Sequence, residues 1–130
     1  LDATQPVGGD TDVLAVTERI ITGYPDPPGI TFAEVHPSGL TAAELDAIIA
    51  AAKVANAALG IDRGPTYTQM RVGPAGAFVV EVAHRLGGGL DPEVAFLASG
   101  KSLYRRIVGV ALGEDAWERM GPEGGQFMCG

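Results

Sequence analysis

Tyr67-Thr68-Gln69-Met70-Arg71-Val72 and Phe78-Val79-Val80-Glu81-Val82-Ala83-His84-Arg85, joined by Gly73-Pro74-Ala75-Gly76-Ala77, decide how this chain reads. Two alternating runs around a short link rich in turn residues predict a β-hairpin. Centred on Ala75, its register sets Gln69 opposite Glu81, Tyr67 opposite Ala83 and Arg71 opposite Val79. Side chains alternate faces along a strand. Tyr67, Gln69 and Arg71 therefore share a face with Glu81, Ala83 and Arg85. Met70, Val72, Phe78, Val80 and Val82 form the opposite, core face, and His84 falls on that side too. Directly opposed Cβ atoms lie about 5 Å apart. The Gln69 and Glu81 oxygens are then close enough to share one hard cation such as Mg²⁺.

Working outward, residues 1 to 12 are rich in Gly and Asp and predict an N-terminal loop, followed by a buried strand over Val13 to Thr17. Pro25, Pro27 and Pro28 mark a loop over Gly23 to Gly29. Thr31 to Val35 is a second strand. The strongest helix signal runs from Thr41 to Leu59. Thr41 with Glu44 makes a capping box, and Gly60 stands where a left-handed C-terminal residue is wanted. Leu45, Ile48, Ile49, Ala52 and Leu59 form its apolar stripe. After the hairpin, Asp91-Pro92 predicts an N-cap with proline at the first helical position, opening a helix that Gly100 closes. Ser102 opens another, with Leu103, Ile107 and Val110 on one face and Gly113 at its end. Residues 121 to 130 carry four glycines and read as irregular. The fold class is α+β: a mainly antiparallel sheet with helices packed on one face, in a single domain over 1–130 whose core is about 13–113.

A chain of 130 residues with 46% hydrophobic content can build one core. Its net charge of −7, with only Lys53 and Lys101 as lysines, excludes a broad nucleic-acid or anionic-membrane surface. One bound nucleotide needs only a few local cations and stays compatible. Cys129 is the single cysteine, so no internal disulfide forms. No signal peptide or membrane-spanning stretch is visible, and the expected location is cytoplasmic.

Gly64-Pro65-Thr66-Tyr67-Thr68-Gln69, then Glu81-Val82-Ala83-His84-Arg85-Leu86-Gly87-Gly88-Gly89, resembles the C-terminal half of the ATP-grasp ligases. There a Gly-containing strand ends in Glu or Gln, and the next strand reads Glu-x-Asn-x-Arg before a Gly-rich turn. Leu97 to Leu103 resembles the family's helix junction, and Leu14 to Arg19 and Glu34 to Pro37 resemble two earlier strands. The resemblance runs from about Val13 to about Gly113. It implies a part of an ATP-dependent ligase that activates a small carboxylate as an acyl-phosphate for attack by an amine or similar nucleophile. Gln69 and Glu81 would hold Mg²⁺ (or Mn²⁺) on the ATP phosphates, and Arg85 would meet the phosphoryl group in transfer. Ala83 stands where the family has a metal-binding Asn. The N-terminal ATP-grasp subdomain, with its glycine-rich loop and nucleotide-binding lysines, is not found before Val13. It is expected as a partner in cis or in trans, which makes the chain a fragment of a longer ligase or half of a split one.

The remaining candidates keep two readings each. Arg71 either neutralises Glu81 or binds a substrate carboxylate. His36 lies where relatives place a His near the substrate, but a loop histidine is also a common surface residue. Gly87 to Gly89, with Gly88 at its centre, either brings backbone amides to an anion or simply turns the chain. Ala95 to Ser102 ends in Gly-Lys-Ser, but it reads as helix rather than a strand-to-helix loop, so it is not a P-loop. His36, His84 and Cys129 lack zinc-ligand spacing. The alternative function is a non-catalytic, ATP-grasp-derived interaction module, towards which Ala83 leans.

Overall fold

The hairpin forms as the alternation predicts, between β5 (Gly64–Gly73) and β6 (Gly76–Ala83), with Gln69 paired to Glu81 and Tyr67 to Ala83. Towards the turn, the register slips by one residue between Gln69 and Met70. Val80 is the extra residue of a β-bulge, so Arg71 faces Phe78 and Met70 faces Val79, not the pairing centred on Ala75. The bulge also corrects the expected core face. Phe78 and Val80 are each 54% exposed, while Met70, Val72 and Ala77 pack towards the helix that covers the sheet.

That helix is α1 (Ala42–Ala58), started by the Thr41–Glu44 capping box and followed by Gly60 at φ +66°. Its buried line is Ile48, Ala52 and Asn56, one residue per turn. Ile48 and Ala52 meet Met70, Val72 and Ala77. Asn56 Nδ2 donates to Thr66 Oγ1 at 3.1 Å, which anchors the helix on β5. Leu59 lies beyond the last helical turn and is exposed, so the expected stripe stops before it.

The computed structural model describes residues 2–5, 11–23, 29–113 and 127–129. Among these, β1 (Asp2–Gln5) and β2 (Asp12–Ala15) join the hairpin in an antiparallel sheet of order β2-β1-β5-β6. β3 (Glu18–Thr22), β4 (Ile30–His36) and β7 (Phe127–Cys129) form a second antiparallel sheet in the order β3-β4-β7. Four corrections follow. Residues 2–5 are a strand rather than loop, residues 18–22 add an unforeseen strand, and residues 127–129 are paired rather than irregular. The sheet is also divided in two. Residues 6–10 of the expected N-terminal loop, 24–28 of the proline loop, and 121–126 and 130 of the tail lie outside the described residues.

α2 (Asp91–Ser99) and α3 (Leu103–Leu112) complete the α+β architecture. Gly100 and Gly113 close them in the left-handed conformation, and Ser102 Oγ caps α3 by accepting from the Arg105 amide. Asp91 is not the N-cap: Leu90 occupies that position, Asp91 is the first helical residue, and its side chain is used elsewhere. Ala95 and Leu103 pack with Ala15 and Leu86 in a second core.

Candidate functional site

Gln69 and Glu81 sit on the face of the hairpin turned away from α1, directly opposite one another. Glu81 is exposed and Gln69 half-buried. Together they offer one carboxylate and one amide oxygen. Such a pair suits a hard cation that completes its shell with water and phosphate oxygens. Among the described residues, no three His, Cys, Asp or Glu side chains gather as a metal cluster. Arg71 shares this face through its pairing with Phe78 and is exposed.

The next pair along the face is Tyr67 and Ala83. Tyr67 is only 4% exposed, because guanidinium groups lie over its ring: Arg19 at 5.4 Å and Arg85 at 5.5 Å from the centroid. A cation above an aromatic face is attracted by the ring quadrupole. Arg85 follows the end of β6, and its Nη1 donates to Leu86 O at 2.7 Å. The structure thus places Arg85 beside Tyr67, one pair along from Gln69 and Glu81. Gly88 lies beside it: a Cβ there would stand 4.0 Å from Arg85 Nη1. His84 departs from expectation. It is exposed beyond the strand, with Nε2 at 2.8 Å from Arg63 O, because β6 ends at Ala83 and the alternation ends with it.

Beside Tyr67 lies a group of charges that sequence reasoning did not single out. Arg19 on β3 reaches Glu34 on β4 (Nε to Oε1, 3.4 Å) and Asp91 on α2 (Nη2 to Oδ2, 3.2 Å). Leu90 N donates to Glu34 Oε2 at 3.2 Å. Glu34 and Asp91 are 8% and 2% exposed. Burial, reinforced by the negative charge of Asp91, raises the Glu34 carboxyl above its ordinary value, against the Leu90 amide and Arg19. Burial works against the Arg19 charge, but Tyr67, Asp91 and Glu34 outweigh it and push its pKa up. His36 shares the Glu34 face of β4. Its Nδ1 lies 3.1 Å from Val16 O, a bond that needs the proton on Nδ1. Burial lowers its pKa. The one available sequence signal for this group was that Arg19 and Glu34 each fall in a strand resembling the family, and a pairing across 72 residues to Asp91 has no local pattern.

No family model matches the chain. It is 33% identical over 95 residues to the uncharacterized protein y4rH of Sinorhizobium fredii, covering 72% of this chain and 20% of that protein. Among solved structures it resembles an L-amino acid ligase from Bacillus licheniformis, with a TM-score of 0.73 and 25% identity over 85% of this chain and 28% of the ligase. It also resembles a phosphoribosylglycinamide synthetase from Anaerococcus prevotii, with a TM-score of 0.76 and 16% identity over 98% of this chain and 33% of the synthetase. The fold is therefore ATP-grasp-like and corresponds to part of these enzymes. The chain spans about a fifth of y4rH and a third or less of each solved enzyme. No helix among the described residues is long and apolar enough to cross a membrane.

Proposed function

We propose that this chain is part of an ATP-dependent ligase and supplies the face that holds Mg²⁺–ATP and a small carboxylate during phosphoryl transfer. The observation that carries the reading is the pairing of Gln69 with Glu81 on the face turned from α1, with Arg85 stacked one pair away. Gln69 and Glu81 would hold Mg²⁺ (or Mn²⁺), which when bound neutralises charge on the nucleotide phosphates. Arg85 offers fixed N–H donors to the phosphoryl oxygens as they move towards the carboxylate. Arg71 lies on this face and Gly88 beside Arg85; these two, with His36 on β4, would serve the substrate side. The rest of the nucleotide site would come from an N-terminal subdomain, in cis or in trans. A nucleophile such as an amine would then displace phosphate from the acyl-phosphate.

One observation favours a non-catalytic, ligand-binding module instead: Ala83, opposite the buried Tyr67, offers no metal ligand where the family resemblance implies Asn. The two readings separate in an assembly in which the N-terminal subdomain, in cis or in trans, completes this chain. Glu81→Gln keeps size and hydrogen bonding but removes the carboxylate. It should lower kcat/KM by at least about 100-fold, roughly 2.7 kcal/mol of transition-state stabilisation. Ala83→Asn should lower the Mg²⁺ concentration needed for half-maximal turnover. Activity unchanged in Glu81→Gln would remove the metal assignment.

A further inference from the structure

Arg85 opens the loop Gly87–Gly89 that leads from β6 into α2, and two of those glycines are demanded by carboxylates. A Cβ on Gly87 would stand 2.7 Å from Asp91 Oδ2 and 3.1 Å from Tyr67 Cδ2. On Gly89, at φ +69°, it would stand 2.8 Å from Glu34 Oε1. The side of the loop facing the protein is therefore filled by negative oxygens. That disfavours an anion there and explains the run of glycines as close approach. The loop is also tied down where Leu90 N donates to Glu34.

Asp91 joins these parts. Its Oδ2 contacts Arg19 Nη2 and lies against Gly87, and Arg19 lies over the Tyr67 ring that also meets Arg85. Among the described residues, Asp91 Oδ1 is buried with no hydrogen-bond partner. A half-satisfied buried carboxylate is costly, and nothing in the phosphate-binding assignment accounts for its retention. A long arginine side chain over a mobile ring would keep most of its rotamer freedom. A ring held by Arg19 removes that freedom before ligand arrives.

We propose that Asp91 is a positioning residue: through Arg19 it fixes the Tyr67 ring, and through its approach to Gly87 the loop, so that Arg85 is held beside Gln69 and Glu81. The catalytic meaning rests on the ligase reading; the positioning itself does not. Arg85 protons over the Tyr67 ring carry ring-current shifts that NMR of this chain reads directly. In Asp91→Asn, and equally in Arg19→Lys, those shifts should move at least about halfway to free-arginine values, with α1 amide shifts unchanged, as loss of ring stacking requires. Arg85 shifts unchanged in either folded variant overturn the proposal. If Asp91→Asn does not fold, Arg19→Lys, at a half-exposed position, decides alone. In the enzyme completed by the N-terminal subdomain, Asp91→Asn should lower kcat by about 10-fold with KM for ATP altered less than about 2-fold, the signature of a lost transition-state contact. Full kcat with Arg85 released overturns the catalytic part. Absence of ATP turnover in the unsubstituted protein once the N-terminal subdomain is present, in cis or in trans, would remove the ligase reading and leave the NMR result to judge the positioning.

Discussion

Gly60 and Gly89 have nearly the same backbone, at φ +66° and +69°, but different surroundings. Among the described residues, nothing lies within 4 Å of a Cβ built on Gly60, whereas Gly89 faces the buried Glu34 carboxylate at 2.8 Å. Gly60→Ala should cost about 1–2 kcal/mol from backbone strain alone. Gly89→Ala should exceed that by at least about 1 kcal/mol, because a packed, ion-paired side chain must move. Urea denaturation of the two variants measures the difference. His36 adds a pH dependence at the same scale. Burial lowers its folded value below the ordinary 6.5, so its contribution to stability is present above 6.5 and lost as pH falls below it. Glu34 acts in the opposite sense: its raised folded value favours the folded state in acid, and that contribution is lost as pH rises from 4.5. His36→Gln should therefore flatten the urea midpoint against pH on the acid side of 6.5, and leave the Glu34 dependence in place.

At the level of elements, legibility followed distance along the chain. The ends of α1 were readable because Thr41 and Glu44 cap within one turn: the Glu44 amide donates to Thr41 Oγ1, and the Thr41 amide to Glu44 Oε2 at 2.8 Å. Thr41→Ala should cost about 1 kcal/mol, read as a lower urea midpoint with unchanged slope. An unchanged midpoint would show that packing on the hairpin alone sets the helix start. The Gln69–Glu81 pairing was readable for the same local reason. β1, β3 and β7, of four, five and three residues, were not. Such short runs have no period to detect, and partners elsewhere in the chain make them strands. The Arg19–Glu34–Asp91 group joins β3, β4 and α2, so no spacing announces it. Asp91-Pro92 was read as a cap because its composition fits one, but the Arg19 guanidinium claims the carboxylate instead.

For the whole molecule, the chain corresponds to 28% and 33% of the two solved enzymes it resembles. If the proposed nucleotide site is closed by the remainder, the chain alone should not perform ligation. Incubated with ATP, Mg²⁺ and a panel of carboxylates and amines, it should release no ADP at ordinary enzyme rates, above about 1 per second. Turnover at that rate would place a complete active site within these residues. The bulge at Val80 bears on how such a site tolerates sequence drift. A side chain's face reverses with every residue added to a strand, so an insertion near a hairpin tip would ordinarily turn a ligand pair inside out. Val80 lies between the tip and Glu81 as a slip joint. A variant lengthened by one residue on the turn side should therefore keep Gln69 opposite Glu81, with the mismatch absorbed between them and the tip.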